Sequence, residues 1–354
     1  MKPTIFITFI FFVFACQHPV SETVQSDYFQ ITGKTMGTIT YKIVYEDSSK
    51  RNFKNEVDSI LTAFNNEVSV YVPTSVISKF NRNEIDFSKA DNQLNSYPHF
   101  KKNIVAALQI AQKTEGAFDP TIMPIVNYWG FGSAGKKPVE AIDSIKVDSI
   151  LSYVGYTNLN YNDSISVKGE IESLAKSDAR VTVDLGGLAK GYALDIVAEF
   201  LHKNGVKNYM IEIGLEVKTR GKNPKGDIWK IGISTPKNDA QLTDIQEIVK
   251  LHNTSIATSG NYRQYYEVDG QKLAHIVNPS TGFPEHSNLL SVSVIHQDCM
   301  IADAYATAFM VMGMEKSMQL VEQNDDLEAL FIYGNVNGTM ETALSTGMKK
   351  MIIQ

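Results

Sequence analysis

From Asp184 to Asp195 the chain reads Asp-Leu-Gly-Gly-Leu-Ala-Lys-Gly-Tyr-Ala-Leu-Asp, and this stretch restricts the local fold more than any other. It follows a β-prone run, Arg180-Val-Thr-Val183, and opens an amphipathic helix whose apolar residues recur at Leu188, Tyr192, Ile196 and Phe200. Two adjacent glycines, Gly186 and Gly187, fall at the junction. A strand that turns through glycine into a helix leaves backbone N–H groups unpaired, with the positive end of the helix dipole behind them. Such a terminus favours an anion, most often a phosphate. The spacing is neither G-x-G-x-x-G nor G-x-x-x-x-G-K-[ST], so the dinucleotide and Walker readings do not apply. Close packing of a helix on its strand through small residues explains the same glycines equally well.

The 354 residues suffice for one large or two modest domains with a substantial core. A net charge of −6, with no long basic run, argues against a nucleic-acid binder. The N-terminus stands apart from the rest. Met1-Lys2 precedes an apolar run from Ile5 to Ala15 that ends at Cys16. The run is too short to span a bilayer, which needs about 20 apolar residues, and has the layout of an export signal. Cys16 after Ala15 resembles the bacterial lipobox, whose cysteine is lipidated; the alternative is an ordinary signal peptide with an incidental cysteine. The expected organisation is a lipoprotein signal peptide over 1–15, a polar tether over 16–27 and a folded domain over 28–354. Its expected location is a bacterial membrane, anchored through lipid on Cys16 and facing the periplasm. With Cys16 lipidated only Cys299 remains, which excludes an internal disulfide and reads as a buried, inert thiol.

Tyr28–Glu46 alternates polar and apolar residues in two runs broken at Gly33–Gly37, which predicts a hairpin. Helical spacing covers Phe53–Val68, and a second helix is expected from about Phe100 to Thr114, before Gly116. Phe118–Gly135 has too many prolines and glycines for a regular element and reads as a structured loop packed through its aromatics. Short strands are expected at Tyr209–Ile213, Trp229–Ser234, Ser255–Thr258, Tyr262–Val268, Leu273–Val277 and Leu289–Ile295. One long helix, about Met300 to Asn324, then precedes strands at Ala329–Tyr333 and Thr339–Leu344. Strands joined by short turns, with helices placed irregularly, predict an α+β fold of mainly antiparallel sheets flanked by helices.

Three further groups carry chemistry. Asp303 and Thr307 lie four residues apart within a helix and project from one face. A carboxylate and a hydroxyl so placed are hard oxygen ligands that suit Mg²⁺ better than zinc, although N-terminal capping and a core hydroxyl explain the pair too. His275 runs into the Pro/Gly turn of Asn278-Pro-Ser-Thr-Gly-Phe-Pro284, where a histidine can serve as a general base or as a hydrogen-bonded core residue. Thr258, Ser259 and Arg263 surround Gly260 and suit a phosphate or ribose contact. A hydrolase built on Ser259 and His275 would lack the G-x-S-x-G elbow.

Taken in order, these motifs resemble the ApbE family of bacterial FAD:protein FMN transferases. The resemblance runs from about Thr32 to Leu344. It rests on Thr35-Met-Gly-Thr38, Val68–Asn81 with Tyr71, Ser75 and Ser78, Gly116-Ala-Phe-Asp-Pro120 and Asn127-Tyr-Trp-Gly-Phe-Gly132. It continues through the Asp184–Asp195 run, Ala257–Arg263, His275–Pro284 and Ala302–Thr307.

The resemblance implies an enzyme that binds FAD, uses Mg²⁺ at its pyrophosphate, and passes FMN to a Ser or Thr hydroxyl of an acceptor protein, releasing AMP. The acceptor would be a membrane or exported redox subunit. Matching positions imply FAD contacts at Met36, Tyr71, Ala117, Phe118, Asp119, Asp184, Lys190 and Ile276. They also imply a metal held by Asp303, Thr307 and a backbone carbonyl at Gly187, with His275 as catalytic base. Hydrolysis of FAD to FMN and AMP, or FAD binding without chemistry, are the competing functions. In one place the chain departs from the pattern: where the family usually has Gly-Gly-Asp or Gly-Gly-Glu, this sequence has Gly214-Leu-Glu216.

Overall fold

The computed structural model describes residues 27–88, 93–132, 139, 141–161, 171–237, 244–261, 265–268, 271–285, 287–335, 337 and 339–353. The export signal, Cys16, the tether up to residue 26, Arg263 and residues 133–135 of the expected loop lie outside them. Strands β1 (Tyr28–Thr35) and β2 (Ile39–Glu46) form the expected hairpin, in register from Tyr28↔Glu46 to Thr35↔Ile39. Its turn is narrower than the glycine spacing suggested. Met36 and Gly37 take the left-handed backbone conformation there, with φ of 46° and 81°. Gly33 stays inside β1, because a side chain at that position would lie 2.5 Å from the Tyr41 ring.

Helices α1 (Lys54–Val68), α2 (Val76–Asn81) and α3 (Pro98–Lys113) follow. The segment expected to be an irregular loop contains a short helix, α4 (Met123–Tyr128). Pro124 sits in its first turn, where a missing N–H costs no helical bond. Next come α5 (Ser144–Leu151), the small ribbon β3 (Leu159–Tyr161) with β4 (Leu174–Lys176), and α6 (Gly186–Lys203). Arg180–Val183 is not a strand. The Asn81 side chain donates to the Val183 carbonyl at 2.8 Å and accepts its N–H at 2.7 Å, so one amide replaces the partner a ladder would have supplied.

The remaining strands are β5 (Tyr209–Ile213), β6 (Glu216–Arg220), β7 (Trp229–Ser234), β8 (Ile245–Leu251), β9 (Ser255–Gly260), β10 (Tyr265–Val268), β11 (Gln271–Ala274), β12 (Leu289–His296), β13 (Glu328–Gly334) and β14 (Met340–Leu344). Eight of the strands form one sheet in the order β1-β2-β5-β6-β9-β12-β13-β14, with every neighbouring pair antiparallel. The α+β, mainly antiparallel expectation therefore holds. The expected helix over 300–324 is two helices, α7 (Cys299–Met312) and α8 (Met314–Glu322), parted at Gly313 with φ of 78°. A tetrapeptide helix, α9 (Met348–Met351), follows the sheet.

Both faces of the central strands are buried. Ala329 and Phe331 of β13 join the helix-side core with Leu194, Val197 and Phe309, while Leu330 and Ile332 pack with Ile233, Val249 and Leu251 of the β7–β8 ribbon. Alternation along β13 is therefore apolar against apolar.

The contact that matters for the site joins α6 to α7. Asp195 on α6 accepts the Cys299 and Met300 N–H groups, both at 3.0 Å, and so caps α7 from outside its own chain segment. Lys218 completes the arrangement at 2.8 Å from the same carboxylate. Cys299 is fully buried, and burial pushes its thiol well up, consistent with an inert residue. Gly191 permits the approach: an added Cβ would lie 2.3 Å from the Cys299 carbonyl oxygen. Alanine ordinarily favours a helix over glycine by about 1 kcal/mol, but here overpacking wins. Gly191→Ala is therefore expected to lose about 1–3 kcal/mol in thermal or denaturant unfolding. A stabilised Gly191→Ala protein would show that the two helices do not meet this closely.

Candidate active site

The α6–α7 contact builds a cavity of about 280 Å³. Gly187, Asp303, Thr307 and His275 line it, together with Ala117, Phe118, Asp119 and Ile276. A smaller cavity of about 130 Å³ is lined by Met36 and Tyr71. Asp184, Gly186 and Lys190 belong to the walls of both. The residues that the resemblance assigns to cofactor, metal and base thus all line these two cavities, which share three wall residues. Tyr71, 69% exposed, presents an open aromatic face at the smaller one.

The start of α6 differs in one respect from a free anion site. The Gly186 N–H donates to the Asp184 carboxylate at 2.8 Å, so an arriving anion meets a carboxylate as well as the helix dipole. Burial raises the Asp184 carboxyl above the usual range, opposed by this N–H and by Lys190. Asp184 is itself fixed by its own N–H, which donates to the Pro120 carbonyl at 2.7 Å. Gly187 has no room for a side chain, since a Cβ would meet the Phe118 ring at 2.9 Å.

Lys190, one turn into α6, carries the positive charge. Its Nζ lies 3.1 Å from Asp303 Oδ1 and 3.5 Å from Glu216 Oε1. Burial would lower its pKa, but the two carboxylates outweigh burial and hold it above the ordinary lysine range. Asp303 also accepts the Gly191 N–H at 3.0 Å. Burial raises the Asp303 and Glu216 carboxyls, Lys190 opposes the rise in both, and the Asp303 charge adds to it in Glu216. Two buried carboxylates thus share one ammonium.

Thr307 Oγ1 donates to the Gly187 carbonyl at 3.3 Å, so the two groups that the metal reading pairs with Asp303 do meet. One carboxylate, one hydroxyl and one backbone carbonyl are a wholly oxygen donor set, which fits a hard cation such as Mg²⁺. Among the described residues no group of three or more His, Cys, Asp or Glu side chains is placed to hold a metal.

Asp119 lines the larger cavity and also fixes its own loop. Its carboxylate accepts Thr121 N–H at 2.7 Å, Thr121 Oγ1–H at 2.6 Å and Tyr156 N–H at 2.7 Å. It therefore organises the loop that carries Ala117 and Phe118. His275 follows β11 in a bend rather than within a strand, half-buried, with its ring 6.3 Å from that of Phe131. The turn after it is pinned by buried Trp129, whose indole N–H donates to the Gly282 carbonyl at 2.7 Å. Sequence reasoning missed this role of Trp129, along with the Asp195 cap and the Glu216 counter-charge. A buried Trp needs a partner for its N–H, which is the signal that could have found the first. Thr258 and Ser259 line the larger cavity as expected, with Thr258 Oγ1 2.7 Å from Ser293 Oγ.

The Gly214-Leu-Glu216 departure leaves the hairpin between β5 and β6 intact. Ile213 pairs with Glu216 across a two-residue turn in which Gly214 alone has positive φ, at 67°. This Gly-X pattern tolerates a side chain at its second position, and Leu215 is 38% exposed.

The site is thus a cavity between two facing helices of an antiparallel α+β scaffold, lined by a lysine, buried carboxylates and further oxygen donors, as in an enzyme that handles an anionic substrate. Residues 36–331 match the model of the ApbE family, and the chain belongs to that family. It is 34% identical over 337 residues to an FAD:protein FMN transferase of Vibrio cholerae, covering 94% of this chain and 93% of the relative. It is 33% identical over 326 residues to the enzyme of the same name in Haemophilus influenzae, covering 91% and 90% respectively. Among solved structures, the flavin transferase ApbE from Vibrio cholerae aligns with a TM-score of 0.76 at 32% identity, over 92% of this chain and 99% of that one. The apo flavinyl transferase ApbE of Pseudomonas stutzeri aligns with a TM-score of 0.77 at 29% identity, over 93% and 98%.

Proposed function

We infer that this chain transfers the FMN half of FAD to a target protein, with Mg²⁺ as cofactor and a Ser or Thr hydroxyl as acceptor, releasing AMP. Family membership and the activity named for the relatives support the transfer. The observation that carries the reading is the charge balance of the cavity. Its walls hold Asp119, Asp184 and Asp303 against a single lysine, Lys190. A dianionic pyrophosphate entering such walls needs further positive charge, and the oxygen set of Asp303, Thr307 and Gly187 is suited to hold it. A magnesium ion held there would screen the pyrophosphate and stabilise charge on the phosphoryl oxygens.

The remaining steps belong to the protein. Tyr71 and Met36 offer a surface on which a planar ring can stack. Lys190 and the opening turn of α6 orient the phosphates. His275 takes the proton of the acceptor hydroxyl as its oxygen bonds to the FMN phosphorus and the P–O bond to AMP breaks. The acceptor is expected to be a membrane or exported redox subunit. The enzyme would reach it as a lipoprotein held through Cys16 and facing the periplasm, a reading supported by the apolar run that ends at that cysteine.

Incubation with FAD, Mg²⁺ and a candidate acceptor, followed by intact-mass analysis, tests the function. A gain of one FMN phosphoryl group on the acceptor, with AMP in equal amount, is the expected result. FMN and AMP released with an unmodified acceptor would instead indicate hydrolysis.

A further inference from the structure

Lys190 faces two buried carboxylates from different parts of the fold. Asp303 comes from α7, with its Oδ1 3.1 Å from Nζ, and Glu216 opens β6, with its Oε1 at 3.5 Å. The Glu216 side chain is only 1% exposed, and its other oxygen accepts the Leu215 N–H at 3.2 Å. Gly214 lies against the same group: a Cβ there would be 3.3 Å from Glu216 Oε2 and 3.9 Å from Lys190 Cδ. The hairpin turn thus locks the carboxylate toward the lysine.

Such a buried carboxylate has no evident place in phosphoryl transfer. It takes no part in the oxygen donor set, and its burial is tolerable only because Lys190 and the Leu215 N–H pair it. Its value lies in what Lys190 does when Asp303 is required elsewhere. An ammonium 3.1 Å from Asp303 competes with any divalent cation for that carboxylate. It can leave Asp303 only if a second counter-charge waits within reach, and Glu216 stands beside it.

We propose that Glu216 is a positioning residue that receives the Lys190 ammonium, so that Asp303 is released to a divalent cation. The inference rests on the metal reading given above. Without the Glu216 charge, Lys190 stays on Asp303 and the cation must displace it unaided.

The test is a double-mutant cycle read by Mn²⁺ binding, using the electron paramagnetic resonance signal of the free ion in a titration without FAD. Glu216→Gln, which keeps the size and the Leu215 contact, is expected to weaken Mn²⁺ binding about tenfold, an ordinary coupling for contacting charges. In a Lys190→Met background the same change is expected to shift Mn²⁺ affinity by less than about twofold, because the competing ammonium is gone. Glu216→Asp should recover part of the loss in the native background. Thermal melts of every variant confirm that each is folded. An equal loss in both backgrounds would mean that Glu216 acts on the ion directly and would overturn the proposal, as would no loss in either. Mn²⁺ binding that survives Asp303→Asn would overturn the metal reading itself, and this inference with it.

Discussion

Asp303→Asn is expected to reduce FMN transfer by about 10³-fold at ordinary Mg²⁺ concentrations, because metal stabilisation of phosphoryl charge is worth several kcal/mol. The asparagine keeps the volume and still offers an oxygen to the Gly191 N–H, which the native carboxylate accepts at 3.0 Å. Lys190 retains Glu216 as its partner, so no charge is left stranded in the cavity. The variant is therefore expected to melt close to the native temperature. What it loses is the only carboxylate in the set formed with Thr307 and the Gly187 carbonyl. A rising Mg²⁺ titration should recover part of the rate, since a weakened site fills at higher concentration. Full activity of Asp303→Asn at low Mg²⁺ would remove Asp303 from the metal site.

The parts of this site that were legible in the sequence are those that local geometry determines. The pairing of Asp303 with Thr307 follows from helical spacing alone, and α7 does carry both into the cavity. The glycines of Gly186-Gly187 announce a helix start, and α6 begins there. The parts that were not legible depend on partners distant in sequence. Nothing near Asp195 indicates that it caps a helix 104 residues away. Nor does the run at Val181–Val183 reveal that Asn81 satisfies it in place of a strand. Strand β6 escaped notice because Glu216 and Thr219 are polar yet buried, 1% exposed each, so its apolar pattern is broken. The helix expected over 300–324 is broken by one residue. Gly313 ends α7 with a backbone conformation that a helix cannot continue through.

His275→Ala is expected to lower FMN transfer by roughly 10²–10⁴-fold, the usual share of general acid–base catalysis. FAD affinity should change little, since the groups proposed to hold the cofactor, the Asp184–Lys190 turn and the walls around Phe118 and Tyr71, are left intact. Stability should also change little. The imidazole is half-buried at the bend after β11, and the turn beyond it is held independently by the Trp129 bond to the Gly282 carbonyl. A histidine with a structural task predicts the opposite pattern: truncation would leave a gap beside Phe131 and strip a hydrogen-bond partner, so that melting temperature and FAD affinity would fall together with the rate. The two outcomes separate in three measurements on one protein: transfer rate, FAD titration and thermal melt. A hydroxyl acceptor needs a base in reach of its proton, and a histidine titrates near the pH at which that proton must move. The native rate is expected to rise with pH near neutrality, and the slow variant should lose that dependence. Retention of that pH dependence in His275→Ala would place the base on another residue of the cavity.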